Sequence, residues 1–174
     1  MANGSPTVSD KETGEVKPGK LEKAEIPVPE LKEGNVLVEI ARCGVCHTDL
    51  GYFYDGIPTV SKPPLTLGHE ISGTVVGGDE SWIGKEVIIP AVMPCRKCYL
   101  CKTGRSSRCL NRKMPGNSMG IYGGFSSHIP VPSIDLCEIK NREISLCLIC
   151  LWLLMLSPLP IRQRRGPKLE MGIM

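Results

Sequence analysis

Residues 35–54 read NVLVEIARCGVCHTDLGYFY, passing from an aliphatic, β-branched run through a cysteine-rich turn into a segment suited to a helix. Residues 35–41 (NVLVEIA) follow Gly34 and predict a strand. A short helix is expected from about Cys46 to Tyr54. Similar runs bounded by Gly or Pro recur at residues 71–76 (ISGTVV) and 86–89 (EVII), and both are read as strands. The spaces between them hold turns rather than long amphipathic helices. That pattern favours a mainly β fold, a small barrel or sandwich, over a doubly wound parallel sheet.

Outward from this stretch, residues 1 to about 30 mix Gly, Pro, Lys and Glu without period, and Pro27 and Pro29 argue for an extended lead-in with one edge strand. The 174 residues amount to about one domain. Twenty-one Lys and Arg oppose 18 Asp and Glu, for a net charge of +3, with 22% charged and 41% hydrophobic residues. Such a composition is globular, neither disordered nor strongly drawn to nucleic acid. The excess charge falls entirely in residues 141–174, which hold five basic and two acidic residues and leave 16 of each sign in residues 1–140. No apolar segment marks the N-terminus for secretion, so a cytoplasmic protein is expected. Nine cysteines in that setting point to metal before disulfides.

The sharpest pattern is Cys95, Cys98, Cys101 and Cys109, spaced C-x2-C-x2-C-x7-C within a lobe at residues 95–113. A tight triplet wraps one ion and the fourth thiolate closes a tetrahedron, which predicts a structural zinc site. An iron–sulfur site shares the opening spacing, but the bacterial ferredoxin pattern puts its last cysteine after three residues and follows it with Pro, whereas here seven intervene and Leu110 follows. The lobe carries Arg96, Lys97, Lys102, Arg105, Arg108, Arg112 and Lys113 and no acid. Four thiolates around one dication leave two negative charges for these cations to offset, so no nucleic-acid partner is required. A non-catalytic zinc module binding a macromolecule through this basic lobe is the alternative reading.

A second constellation joins Cys43, Cys46, His47, Thr48 and Asp49 (CGVCHTD) to Gly68, His69 and Glu70 (GHE) about twenty residues later. Cys and His ligate zinc, while Asp and Glu either ligate or hold the imidazole from behind. A lone His in a Gly-rich turn is more often a satisfied structural residue, so neither half decides alone. No two glycines in the chain lie two positions apart, so the G-x-G of a dinucleotide fingerprint is absent.

In this order, CGVCHTD, GHE and the four-cysteine lobe resemble the medium-chain zinc-dependent alcohol dehydrogenase family over roughly residues 20–138. The resemblance implies a GroES-like β-barrel catalytic domain at residues 1–140, an oxidoreductase acting on CH–OH groups, zinc at catalytic and structural sites, and NAD as acceptor. It implies Cys46 and His69 as catalytic zinc ligands, Glu70 as an inner-sphere or exchanging carboxylate, and Asp49 as the partner orienting His69. Thr48 then takes the substrate's proton and His47 lies near the cofactor pyrophosphate. Cys43 matches no ligand position and is read as a packed thiol, and His128, in a strand-like stretch, as structural. Residues 113–132 (KMPGNSMGIYGGFSSHIPVP) and 49–59 (DLGYFYDGIPT) resemble the branch of the family that oxidises 6-hydroxycyclohex-1-ene-1-carbonyl-CoA. The implied partners are a small alcohol substrate, here an acyl-CoA, and further copies of the same subunit, with neither nucleic acid nor membrane.

Family members continue with a third catalytic zinc ligand and a Rossmann domain, for which the sequence has no match, and the chain alone is expected to be inactive. Cys137, Cys147 and Cys150 sit in no matching motif. Residues 144–156 (ISLCLICLWLLML) are uncharged but shorter than the ~20 residues of a membrane helix. Codons can be chosen from Cys147 onward that, read two bases later, give SDLSVVADAVTTPYQA, which resembles how the family continues. Its ADA aspartate falls over Leu154 and Met155, where the third ligand is expected. Residues 141–174 are therefore expected to be an out-of-frame tail from about Ser145.

Overall fold

A computed structural model describes residues 2–3 and 19–140. The chain divides into two units, Met1–Arg142 and Glu143–Met174, and every described residue belongs to the first. The apolar run, Cys147 and Cys150 lie outside the described residues.

Strands β1 (Ala2–Asn3) and β2 (Lys20–Leu21) form a small antiparallel pair. The main sheet is antiparallel and built from β3 (Asn35–Gly44), β4 (Glu70–Gly77), β5 (Glu86–Ile89), β6 (His128–Pro132) and β7 (Cys137–Glu138), in the order β6-β3-β4-β5-β7. Successive strand side chains point to opposite faces, and here one face is aliphatic on every long strand. Val36 and Val38 of β3, Ile71 and Val75 of β4, Val87 and Ile89 of β5, and Ile129 and Val131 of β6 bury together with Met93. Each such side chain contributes about 1.5–3 kcal/mol through burial.

Strands β6 and β7 lie at opposite edges, yet only Ser133–Asp135, a 3-10 turn, and Leu136 separate them in sequence. Five flat strands would set those edges ~19 Å apart at ~4.8 Å per gap. A connector this short reaches ~18 Å only if fully extended, and its turn shortens it further. The sheet must therefore curl toward closure, which is the barrel-like form expected.

The expected strand 35–41 runs on to Gly44, because β4 continues to pair with it, Cys43 opposite Ile71 and Gly44 opposite Glu70. Helix α1 (His47–Tyr54) starts where expected, with Cys46 as its extended N-cap. Asp49 in its first turn accepts the Cys46 N–H through Oδ2 at 3.0 Å, a placement the helix dipole also favours. Tyr52 docks the helix on Leu65 and Leu67, just ahead of His69 in sequence. A single turn, α2 (Tyr99–Lys102), is capped by Cys98 and carries Cys101, the last of the cysteine triplet. Among the described residues no helix is long and apolar enough to cross a membrane.

Candidate metal centres

Every ligand expected from the sequence falls into one of two groups. In the first, the sulfurs of Cys95, Cys98, Cys101 and Cys109 all lie within 4.8 Å of one another. Cys98 Sγ stands 3.5 Å from Cys101 Sγ and 3.9 Å from Cys109 Sγ. The turn that aligns the first two cysteines passes through Arg96, the one non-glycine residue with positive φ (57°) among the described residues. Its guanidinium pairs with Asp135 and ties the lobe to the segment joining β6 and β7. At the other end, Met93 and Lys113 exchange two backbone hydrogen bonds of 2.8 Å, closing the lobe's base.

Backbone amides point at these sulfurs. Cys95 N–H donates to Cys109 Sγ at 3.2 Å and Cys98 N–H to Cys95 Sγ at 3.4 Å. Amides of Cys101 and Leu110 hold the Cys98 thiol down to about 6, and those of Lys97 and Cys98 lower Cys95. Desolvation pushes Cys101 up to about 12, and hydrogen bonding with the Cys98 and Cys109 sulfurs adds to it, a competition among four crowded thiols. A soft dication would relieve that competition, and four thiolates close a tetrahedron with no open position. The donor set fits zinc in a structural role. All seven cations of the lobe are exposed, as their offsetting role allows.

The second group comprises Cys46, His69 and Glu70, whose ligand atoms also lie within 4.8 Å of one another. Strand pairing assembles it: Cys46 follows two residues after β3 ends at Gly44, and β4 begins at Glu70. Asp49 sits behind, 3% exposed, its Oδ1 accepting the Gly68 N–H at 3.0 Å. His69 is 4% exposed, and its Nδ1 stands 3.4 Å from Asp49 Oδ1, at ion-pair distance but without hydrogen-bond geometry. With Nδ1 turned to Asp49, Nε2 is the nitrogen left for a ligand. The Asp49 carboxylate raises His69 to about 9 against the desolvation that lowers it. A buried imidazole held by a carboxylate, beside a thiol and a second carboxylate, fits a metal with an open position.

Thr48 Oγ1 lies 3.6 Å from Cys46 Sγ, beside the group. His47 is exposed at the first position of α1 and is not among the converging donors. Cys43 faces Gly68 and Gly124, and burial pushes its thiol up to about 12, as suits a packed side chain. His128 opens β6 and its ring faces Ser127.

Sequence reasoning missed Asp135 and Gly44, and it named Gly68 without seeing what that glycine does. Asp135, which anchors Arg96, lies 39 residues away with no local signal. Gly68 adopts φ +94°, and a Cβ there would stand 2.8 Å from Cys43 Sγ, so the turn before His69 needs glycine twice over. Gly44 faces Glu70 across the sheet, a relation visible only from the β3–β4 register.

Residues 32–141 match the alcohol dehydrogenase GroES-like domain family. The chain is 38% identical over 127 residues to an alcohol dehydrogenase of Geobacillus stearothermophilus, covering 70% of this chain and 37% of that protein. It is 37% identical over 136 residues to an NAD-dependent alcohol dehydrogenase of Sulfolobus acidocaldarius, covering 72% and 39% respectively. The crystal structure of the D-arabinose dehydrogenase from Sulfolobus solfataricus superposes with a TM-score of 0.60 at 30% identity, covering 67% of this chain and 37% of that one. The chain thus spans a little over a third of the length of these relatives.

Proposed function

Because the chain belongs to the alcohol dehydrogenase GroES-like domain family, we propose that it supplies the alcohol-oxidising centre of a zinc-dependent dehydrogenase with NAD as hydride acceptor. The observation that carries this reading is the convergence of Cys46, His69 and Glu70 to within 4.8 Å in front of a buried Asp49. Zinc held by Cys46 and His69, with Glu70 able to join or leave, would supply Lewis acidity toward an alcohol oxygen and lower its pKa. Thr48, beside Cys46, would relay the alcohol's proton, its hydroxyl oxygen accepting that proton as it releases its own toward solvent. Asp49 fixes the His69 ring and the start of α1 together, so the ligands keep their aim as charge develops. His47, exposed on the same helix, would lie near the cofactor pyrophosphate. The described residues offer no glycine pair that fits a dinucleotide, so hydride transfer belongs to the whole enzyme and not to these residues alone.

The substrate we assign is a cyclic hydroxyacyl-CoA, 6-hydroxycyclohex-1-ene-1-carbonyl-CoA, taken by an oligomer of identical subunits. Residues 49–59 and 113–132, which carry the likeness to that branch, are stitched together through Asn117. Its side chain meets the Tyr52 hydroxyl, and just past the first segment it accepts the Val60 N–H at 3.0 Å while its carbonyl accepts the Ser61 N–H at 2.7 Å. We further assign residues from about Ser145 to an out-of-frame reading, tested by resequencing the gene from codon 130.

The functional test is NAD reduction by the whole zinc-loaded enzyme, offered the cyclic hydroxyacyl-CoA, sorbitol and L-threonine in turn. Turnover of the acyl-CoA, abolished by Cys46→Ser and His69→Ala, is expected. Turnover of sorbitol or threonine alone would overturn the substrate, and activity surviving both substitutions would overturn the centre.

A further inference from the structure

We propose that Gly44 is a positioning residue, its missing side chain being what lets the Glu70 carboxylate lie beside Cys46 and His69. The inference rests on the reading of those three residues as a metal site. Gly44 and Glu70 are directly opposed on the last rung of the β3–β4 ladder. Opposed residues of antiparallel strands share a face and bring their side chains together. With only hydrogen at position 44, Glu70 is free to lean across β3 toward Cys46. A Cβ at Gly44 would stand 2.4 Å from Glu70 Oε2, 3.2 Å from its Cβ and 3.4 Å from its Cδ.

Backbone conformation gives no competing reason for glycine here, because the φ of Gly44 lies outside the left-handed region that Gly68 occupies at +94°. What the position reserves is space. The hard collision is with the free end of a flexible side chain, while Glu70 Cβ at 3.2 Å has to give by only a few tenths of an ångström, so alanine at 44 turns the carboxylate away and leaves the sheet standing. Gly73, on the same strand pair, is the contrasting case. A Cβ there would meet the Glu39 carbonyl oxygen at 2.1 Å, and that backbone cannot move aside without breaking the β3–β4 ladder.

The test uses the full chain as wild type, Gly44→Ala, Glu70→Ala and the double variant, each titrated with Co²⁺ as a visible probe. We expect Gly44→Ala to weaken the second Co²⁺ about ten- to a hundredfold, as loss of a positioning group does. The thiolate band of the first ion at the four-cysteine site and the urea midpoint should stay in place. In the double variant the loss should not exceed that of Glu70→Ala alone, since both changes act through one carboxylate. Wild-type affinity in Gly44→Ala, or additive losses in the double variant, would overturn the proposal. If the wild type takes up no second Co²⁺, the reading of the metal site fails, and a crystal structure of metal-free Gly44→Ala judges this inference separately. A Glu70 carboxylate withdrawn from Cys46 and His69 supports it, and one still beside them refutes it.

Discussion

Asp49 accepts the amides of Cys46 and Gly68 and faces His69, so one buried carboxylate pins the start of α1 and the turn before the imidazole. Asparagine keeps the shape but must aim an NH₂ at a donor or at the ring. Asp49→Asn is expected to weaken metal binding at the Cys46, His69 and Glu70 group about ten- to a hundredfold, leaving the four-cysteine site alone. Competitive titration with a chromophoric chelator reads both sites, and an unchanged second site would show that Asp49 only packs. Cys43 gives a separate prediction. Its thiol sits against Gly68 and Gly124 and is held in the protonated state by burial, whereas Cys137 is exposed. With zinc bound, iodoacetamide mapped by peptide mass should modify Cys137 well before Cys43, and equal rates would place Cys43 in solvent.

Elements were legible where a single run of residues states its own pairing. The strand at Glu86–Ile89 and the helix beginning beside Cys46 could be read directly, and the strand opening at Asn35 was read only as far as Ala41. Beyond it, Arg42 and the glycine at 44 weaken the aliphatic signal, and only pairing with β4 carries the strand to its end. Strand β6 (HIPVP) registered as no more than a strand-like stretch around His128, since two prolines in five residues speak against a sheet. Its place at the sheet edge, with β3 as its one neighbour, is where prolines are tolerated. Despite those prolines β6 is a core strand: Ile129 is fully buried and opposite Val38. Ile129→Ala should cost about 2–5 kcal/mol of stability, measured by urea unfolding of the zinc-loaded protein. A loss under about 1 kcal/mol would mean that β6 is not packed on the core in solution.

At the scale of the molecule, the two candidate centres differ in how far apart their ligands lie in sequence, and legibility followed from that. Three of the four lobe cysteines occupy seven consecutive residues, so their spacing alone announced a site. Cys46 and His69 are brought together only by β3–β4 pairing, and it took the resemblance of both halves to one family to join them on paper. The same difference governs affinity. Four thiolates on a lobe closed by the Met93–Lys113 rung satisfy a tetrahedral ion completely, whereas Cys46, His69 and Glu70 offer three donors, one of them a carboxylate on a movable arm. Dialysed against increasing EDTA, the zinc-loaded chain should therefore release one ion early and hold the other, with metal content passing through a plateau near one zinc per chain. His69→Ala should remove the early step alone, and Cys98→Ser the late one together with the lobe's fold, since the metal organises that loop. Two zinc ions leaving in a single step would mean that the second centre is as closed as the first, which would require a fourth protein donor beyond the three that converge there.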